Sequence, residues 1–295
     1  MERRTFLQSA AAAVSLSTAA AATSKFTFVH FTDTHIQPEL RAVEGCLQCL
    51  QKITAGKPDF AVSGGDLVFD VNETGPQRAR ELFDLFEKTL RSLPVKTYHA
   101  MGNHDVFGLT PKSGVAPGDP QYGKKMYEDR MGKRFYSFSH KGWHFIVLDS
   151  IGITAERGYI GQVDEEQMSW LSSDLAQAGP KTPTVVITHI PIVTAFPAYG
   201  MAPGGPTRGM VVTNARALTA LFAKYNVKAV LQGHTHVREN VNYHGCQYIT
   251  SGAVCGNWWK GARMGHPEGF AVLRVNGERI EWSYQTFGFK AEATS

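Results

Sequence analysis

The chain has 295 residues, of which 43% are hydrophobic and 19% charged, and this ordinary globular composition allows a sizeable core. Its formal net charge of +4 is compatible with an anionic substrate and equally with a mildly basic surface of no functional meaning. No basic run and no stripe of interleaved aromatic residues occurs in the sequence, so we expect no nucleic-acid-binding patch.

The first 22 residues are predicted to be a signal peptide rather than part of the fold. A basic start is followed by a short, moderately apolar stretch with small residues near Ala20 and Ala22. The motif that begins at Arg3 and Arg4 resembles the twin-arginine export signal; an ordinary secretory leader or a tethering helix is the alternative. The stretch is too short to span a membrane. We therefore expect an exported protein, periplasmic or secreted.

Five apolar, strand-like runs each end at polar residues, and they lie at residues 26–31, 60–63, 95–100, 184–188 and 227–231. The polar clusters that follow are Asp33-Thr34-His35, Gly64-Gly65-Asp66, Gly102-Asn103-His104-Asp105, His189 and Gly233-His234-Thr235-His236. Apolar residues at helical spacing lie between several of these strands, in segments 39–55, 76–92, 164–178 and 214–225. Strands that alternate with helices predict βαβ units, and hence an α/β fold with helices on both faces of a sheet.

A second group of strand-like segments predicts a second sheet, and it comprises residues 135–139, 143–148, 248–251, 270–275 and 280–285. We therefore expect two stacked mixed sheets flanked by helices, a β-sandwich with a βαβαβ core. No linker rich in Pro, Gly or Ser divides the chain. Residues 26–288 are accordingly predicted to form a single domain.

The polar clusters are placed where open α/β sheets form their sites, outside the carboxyl ends of strands. Together they supply carboxylate, amide and imidazole donors without a thiolate: Asp33, His35, Asp66, Asn103, His104, Asp105, His189, His234 and His236. This donor set suits two ions of Mn, Fe or Zn, with a carboxylate such as Asp66 able to bridge them. Two such ions can clamp an in-line displacement at phosphorus. Each cluster alone is an ordinary turn sequence. The prediction of a metal site therefore rests on the occurrence of five clusters, each at the end of a predicted strand.

These motifs together resemble the signature of the calcineurin-like metallophosphoesterases, over about residues 26–285. The resemblance implies that the first ion is bound by Asp33, His35, Asp66 and His236. It implies that the second ion is bound by Asp66, Asn103, His189 and His234, with Asp66 bridging. His104 would bind the phosphate and protonate the leaving group, Asp105 would orient His104, and Asn103 would also contact substrate. A hydroxide activated by the two ions would be the nucleophile.

Within that family the segments at 136–138, 145–150 and 167–171 are similar in style to bacterial class III cyclic-nucleotide phosphodiesterases. The predicted function is therefore hydrolysis of a small-molecule or nucleotide-like phosphate ester, with a phosphodiester slightly preferred. One alternative is a broad-specificity phosphomonoesterase. Another is a non-catalytic metal-binding or scaffold protein, against which the complete donor set and His104 argue. The sequence does not indicate an oligomeric state.

The aromatic and cationic run at Trp258, Trp259 and Lys260 has two interpretations. The tryptophans can stack on a ring of the substrate while Lys260 meets its phosphate. Alternatively, both tryptophans pack in the interior. Asp70, four residues after Asp66, either assists a nearby strand-end loop or is simply solvated, and we favour the second interpretation.

The sequence contains four cysteines. Cys46 and Cys49 fall on a predicted helix, where a mid-helix bridge would be strained, so they are expected to be buried small apolar residues. Cys246 and Cys255 flank a short predicted strand and turn, and they are candidates for a disulfide in an oxidising compartment.

Overall fold

The computed structural model describes residues 24–202, 204, 205 and 207–292, so the predicted leader at residues 1–22 lies outside the described residues. The strands are, in chain order, β1 Lys25–Phe31, β2 Phe60–Ser63, β3 Thr97–His99, β4 Tyr136–His140, β5 Trp143–Val147, β6 Ile151–Ile153, β7 Tyr159–Gly161, β8 Thr184–Ile187, β9 Val227–Gln232, β10 Arg238–Tyr243, β11 Cys246–Ser251, β12 Gly269–Asn276 and β13 Arg279–Thr286. The α-helices are α1 Ala42–Ala55, α2 Pro76–Leu90, α3 Lys125–Met131, α4 Glu165–Ala178, α5 Phe196–Tyr199 and α6 Ala215–Phe222. Short 3-10 turns lie at Asn103–Asp105 and Pro111–Ser113.

Two large mixed sheets form the centre of the fold. The first has the strand order β13-β12-β1-β2-β3, the second has the order β10-β11-β9-β8-β5-β4, and β6 and β7 form a separate pair. The strands β1, β2 and β3 run parallel in the first sheet, as do β5, β8, β9 and β11 in the second. The predicted α/β class, with two stacked mixed sheets flanked by helices, is therefore confirmed. The single-domain assignment of residues 26–288 stays a prediction.

The predicted division of the strands between the sheets is wrong. We expected β12 and β13 in a second sheet, but the hairpin they form pairs with β1, where Leu273 lies opposite Phe28. Conversely, β8 and β9 precede two of the polar clusters but belong to the second sheet, alongside β5. Apolar runs predict strands but not their partners, because pairing depends on contacts between residues far apart in sequence.

Alternating residues of β1 face two different layers of core. Phe26 and Phe28 enter the core between the sheets, where the Phe28 ring stacks on Phe60 with centroids 5.0 Å apart. Val29 and Phe31 point to the opposite face and pack in the core beneath the helices. Complete burial of side chains this size contributes about 1.5–3 kcal/mol each. Because successive side chains point to opposite faces of a strand, β1 buries apolar residues in both core layers.

The predicted helices are confirmed, with ends that move inward by at most three residues. Helix α2 begins at Pro76, which has no amide hydrogen to satisfy in the first turn. Helix α4 begins after Asp164, whose side chain accepts a hydrogen bond from the Gln167 amide as its N-cap. No helix among the described residues is long and apolar enough to cross a membrane.

The four cysteines are all free and buried. The prediction of buried, unpaired Cys46 and Cys49 is confirmed, since both pack on the inner face of α1. The candidate disulfide between Cys246 and Cys255 is absent. Cys246 opens β11 and its Sγ faces the Gln247 carbonyl oxygen, whereas Cys255 lies beyond the end of that strand and its Sγ faces His236 and the Gly256 carbonyl oxygen.

Candidate metal centre

The predicted ligands meet at one edge of the sandwich, although they come from both sheets. Asp33 and His35 follow β1, Asp66 follows β2, and Asn103 lies in the turn after β3 of the first sheet. The second sheet contributes His189 after β8, with His234 and His236 after β9. The structure therefore brings all seven predicted metal ligands together.

Five of these ligands have left-handed backbone conformations, which are uncommon outside glycine. The φ angles are 55° at Asp33, 38° at His35, 51° at Asp66, 73° at His234 and 58° at His236. Asp and His tolerate this region better than most residues, and such strain is concentrated at functional sites. The sharp turn after each strand directs the ligand side chain back across the strand ends.

A first group of ligand atoms converges near the Asp66 carboxylate. His35 Nε2 lies 3.4 Å from Asp66 Oδ2 and 3.2 Å from His236 Nε2, and His236 Nε2 lies 3.3 Å from Asp33 Oδ1. His236 directs its Nδ1 to the Gly256 carbonyl oxygen at 2.6 Å. A proton on Nδ1 leaves the lone pair on Nε2 free to bind a metal.

A second group shares the same oxygen of Asp66. His189 Nε2 lies 3.1 Å from Asp66 Oδ2 and 3.2 Å from Asn103 Oδ1, while its Nδ1 faces the Gly64 carbonyl oxygen at 2.9 Å. His234 belongs to this group, because its ligand atom lies within 4.8 Å of those of Asp66 and His189. Its Nε2 atom is buried without a hydrogen-bond partner. Asp66 Oδ2 therefore occupies the position of a bridging ligand.

The buried carboxylates of the site favour positive charge at neighbouring groups. Burial lowers the pKa of His189, but the charge and hydrogen bond of Asp66 outweigh it and raise that pKa to about 9. Burial and the neighbouring His189 lower the pKa of His234 to about 3, so this ring is a neutral donor. Carboxylates, an amide oxygen and imidazole nitrogens facing one another in this way fit two divalent ions of Mn, Fe or Zn.

His104 lies at the rim of this centre with a partner that the sequence did not predict. Its backbone amide donates to Asp66 Oδ1 at 2.8 Å, and its side chain lies within 4.8 Å of the ligand atoms of His35 and Asp66. Its Nδ1 atom is 3.5 Å from Asp70 Oδ1. The Asp70 side chain is therefore partly buried beside His104, at a backbone turn with φ 57°, rather than freely solvated, and its role stays a prediction.

The Asp105 carboxylate bonds to backbone amides rather than to the His104 side chain, so its orienting role stays a prediction. Its carboxylate is completely buried and accepts three backbone hydrogen bonds, two at Oδ1 from Leu67 and Val68 and one at Oδ2 from Gly102. These bonds join the loop after β2 to the loop after β3. Asp105 therefore holds the two ligand-bearing loops together, and the carboxylate beside His104 is that of Asp70.

This assignment gives opposite expectations for two conservative variants. Asp70→Asn should lower kcat about tenfold with little change in unfolding free energy, because it removes the negative charge that lies 3.5 Å from His104 Nδ1 and favours the protonated ring. Asp105→Asn should lower the free energy of unfolding by about 1–3 kcal/mol, because its amide hydrogens would oppose backbone donors. Steady-state kinetics and urea unfolding of both proteins check this. A stable but inactive Asp105→Asn beside a fully active Asp70→Asn would restore the original assignment.

The two tryptophans of the loop after β11 have different environments. Trp259 is 1% exposed and donates its Nε1–H to the Thr34 carbonyl oxygen at 3.0 Å, and Gly45 on α1 leaves room for its ring. Its predicted contact with substrate is therefore wrong, because its indole is packed beneath the ligand loop. Trp258 faces the other way, with its ring centroid 4.1 Å from that of His35. Lys260 is exposed beside it and lines the same cleft as Trp258.

One contact of the site has no counterpart in the sequence-based prediction. Cys255 Sγ lies 3.7 Å from His236 Nδ1, behind the imidazole and away from the nitrogen that faces Asp33. Burial raises the pKa of this thiol, and His236 offsets part of that effect. The thiol also lies within 4.8 Å of ligand nitrogens of both His35 and His236, so it borders the first ligand group. No sequence pattern marked it, since its neighbour His236 is 19 residues away.

Comparison with known proteins agrees with this geometry. The family model described as "Calcineurin-like phosphoesterase" matches residues 26–238, and the model "C terminal of Calcineurin-like phosphoesterase" matches residues 249–294. The chain is 24% identical over 217 residues to a 3',5'-cyclic-nucleotide phosphodiesterase of Nostoc sp., covering 73% of this chain and 71% of that protein. It is 25% identical over 249 residues to a cAMP/cGMP dual specificity phosphodiesterase of Mycobacterium tuberculosis, covering 78% and 68%.

Solved structures show the same fold at lower identity. A dimetal phosphatase from Danio rerio superposes with a TM-score of 0.62 at 15% identity, covering 89% of this chain and 96% of that one. A purple acid phosphatase from yellow lupin gives a TM-score of 0.59 at 16% identity, covering 92% and 53%.

Proposed function

The chain belongs to the calcineurin-like phosphoesterase family and is a metal-dependent phosphoric ester hydrolase, and we propose that it hydrolyses phosphodiesters with His104 as the general acid. The observation that carries the proposal is the position of Asp66 Oδ2. It lies 3.4 Å from His35 Nε2 in one ligand group and 3.1 Å from His189 Nε2 in the other, with His104 beside the first group. The phosphodiester preference is supported by the relatives, whose names describe cyclic-nucleotide phosphodiesterases.

The proposed mechanism assigns each residue a separate task. Asp33, His35 and His236 would hold one ion, Asn103, His189 and His234 would hold the other, and Asp66 would contribute to both sites. Two divalent ions bound there would activate a water molecule and neutralise charge on the phosphoryl oxygens. His104 donates a proton to the leaving oxygen. Asp70, 3.5 Å from His104 Nδ1, keeps the ring oriented and favours its protonated form.

A panel of nitrophenyl esters tests the proposal against its alternatives. We expect protein loaded with Mn, Fe(II) or Zn to hydrolyse bis(p-nitrophenyl) phosphate with a higher kcat/KM than p-nitrophenyl phosphate. A broad phosphomonoesterase would show the reverse order. A metal-binding or scaffold protein would bind the ions and hydrolyse neither ester, so release of p-nitrophenolate with metal analysis separates the three functions.

We also propose that residues 1–22 are a twin-arginine leader that exports the protein to the periplasm or beyond. The double variant Arg3→Lys, Arg4→Lys should then accumulate in the cytoplasm, because that pathway reads the arginines themselves and a general secretory leader needs only their charge. Fractionation of cells that express each form measures this. Unchanged export of the double-lysine variant would leave only the general secretory route.

A further inference from the structure

The Trp258 side chain divides the cleft above the metal centre into two parts. Its ring centroid lies 4.1 Å from that of His35, 5.0 Å from His104 and 5.1 Å from His236, while Phe69 meets it edge-on at 5.8 Å. The backbone of Trp258 is left-handed, with φ 57°, and this turn directs the indole towards the metal ligands. Trp258 and His104 line both parts of the cleft.

The first part, here called the metal-side cleft, has a volume of about 260 Å³ and includes metal ligands Asp66, His234 and His236 in its lining. Its remaining wall is apolar and aromatic with one cation, and it includes Tyr159, Phe196, Met201, Met210 and Arg263. A phosphoryl group at the metal centre must lie at the floor of this cleft. An organic group beside it would be packed by flexible thioethers and a phenol ring.

The second part, here called the outer cleft, has a volume of about 270 Å³. It contains the Asp70 and His104 pair but none of the seven metal ligands, and its other lining residues are Gln37, Leu40, Phe69 and Lys260. A phosphoryl group therefore cannot be centred in it. His104 and Trp258 are the two residues that line both clefts, so a group in the outer cleft lies beside His104, in the position of a leaving group that accepts a proton from this residue.

The two clefts are similar in size, and each is slightly below the ~300 Å³ at which typical ligand pockets begin. Each is therefore suited to one part of a ligand rather than to a whole one. A monoester would fill the outer cleft and leave the metal-side wall uncovered. A cyclic nucleotide has both ester oxygens on one sugar, so it has only one organic group to place.

We propose that the substrate is an acyclic phosphodiester with two sizeable organic groups, divided by Trp258. The retained group lies in the metal-side cleft against Met201 and Met210, and the leaving group lies in the outer cleft against Phe69. This proposal rests on the proposed phosphodiesterase function and narrows it. Hydrolysis breaks the bond from phosphorus to the leaving oxygen, water supplies the new oxygen, and His104 supplies the proton to the departing alcohol.

The test uses two diesters with the same leaving group, methyl p-nitrophenyl phosphate and thymidine 5'-p-nitrophenyl phosphate. Wild-type protein should hydrolyse the thymidine ester with a kcat/KM at least about tenfold higher, since several additional apolar contacts are made. It should also prefer this ester to 3',5'-cyclic AMP.

Met210→Ala should lower kcat/KM about tenfold for the thymidine ester and leave the methyl ester unchanged, whereas Phe69→Ala should lower both equally.

Binding of a product gives a second measurement that does not depend on turnover. Thymidine 5'-monophosphate retains the group of the metal-side cleft, so calorimetry should show its Kd raised about tenfold in Met210→Ala and unchanged in Phe69→Ala. The matched control is Met264→Ala, because Met264 is 50% exposed in the same loop as Trp258 and lines neither cleft. It should behave as the wild type throughout.

The measurements distinguish failure of the phosphodiesterase function from failure of the two-cleft assignment. Hydrolysis of p-nitrophenyl phosphate but of neither diester would overturn the proposed phosphodiesterase function together with this inference. Equal kcat/KM for the methyl and thymidine esters, or equal loss of both in Met210→Ala, would retain the function and overturn the two-cleft assignment.

Discussion

Asp66→Ala is expected to remove both metal ions and to lower hydrolysis by roughly 10⁴-fold or more. Asp66 Oδ2 is the one oxygen that both ligand groups share, at 3.4 Å from His35 Nε2 and 3.1 Å from His189 Nε2. Its loss removes a negative charge from each group and leaves neither with a complete donor set. Without the ions, the acidified water and the charge neutralisation at phosphorus both disappear, and each 1.36 kcal/mol of lost stabilisation is a factor of ten in rate.

Metal analysis after gel filtration, together with kcat/KM for bis(p-nitrophenyl) phosphate, measures this effect. The control is Asp84→Ala on α2, whose side chain is 68% exposed and pairs with Arg130 at the surface. This variant should keep its metal content and its activity. Retention of two ions per chain by Asp66→Ala would show that the ligand groups do not depend on a shared carboxylate.

His104→Ala is expected to keep both ions and to lose about 10²–10⁴-fold in kcat on substrates with poor leaving groups. The His104 side chain is 20% exposed at the rim of the centre and is not needed to complete either ligand group. Its contribution is a proton for the leaving oxygen. The loss should therefore be much smaller with p-nitrophenolate, which departs without protonation, than with an alkoxide.

Kinetics with a series of leaving groups of rising pKa measures this dependence, and metal analysis accompanies each protein. The control is His244→Asn, because His244 is exposed in the turn between β10 and β11, away from the cleft. A uniform loss for all leaving groups would contradict proton donation and leave His104 only a phosphate-binding role. Loss of metal would place it among the ligands instead.

The carboxylates of Asp70 and Asp105 contact other parts of the site than their sequence positions indicate. Asp105 and Asp70 lie within four residues of His104 or Asp66, and their sequence positions made Asp105 the natural partner of His104. In the structure Asp70 rather than Asp105 lies beside the His104 side chain. The 3-10 turn at Asn103–Asp105 directs Asp105 inward to the amides of Leu67 and Val68. Neighbours in sequence point in different directions in such a turn, so proximity along the chain did not decide the contact.

The sequence by itself determined the fold class, the helices and the set of polar side chains that meet at the strand ends. It did so because each feature is local: apolar periodicity identifies strands and helices, and the carboxyl ends of parallel strands lie at one edge of a sheet. Only the tertiary structure decided that β12 and β13 pair with β1, and that Trp259 is packed beneath Thr34 while Trp258 divides the cleft. These outcomes depend on contacts between residues more than 200 positions apart in sequence, such as Trp259 and Thr34, which no local pattern specifies.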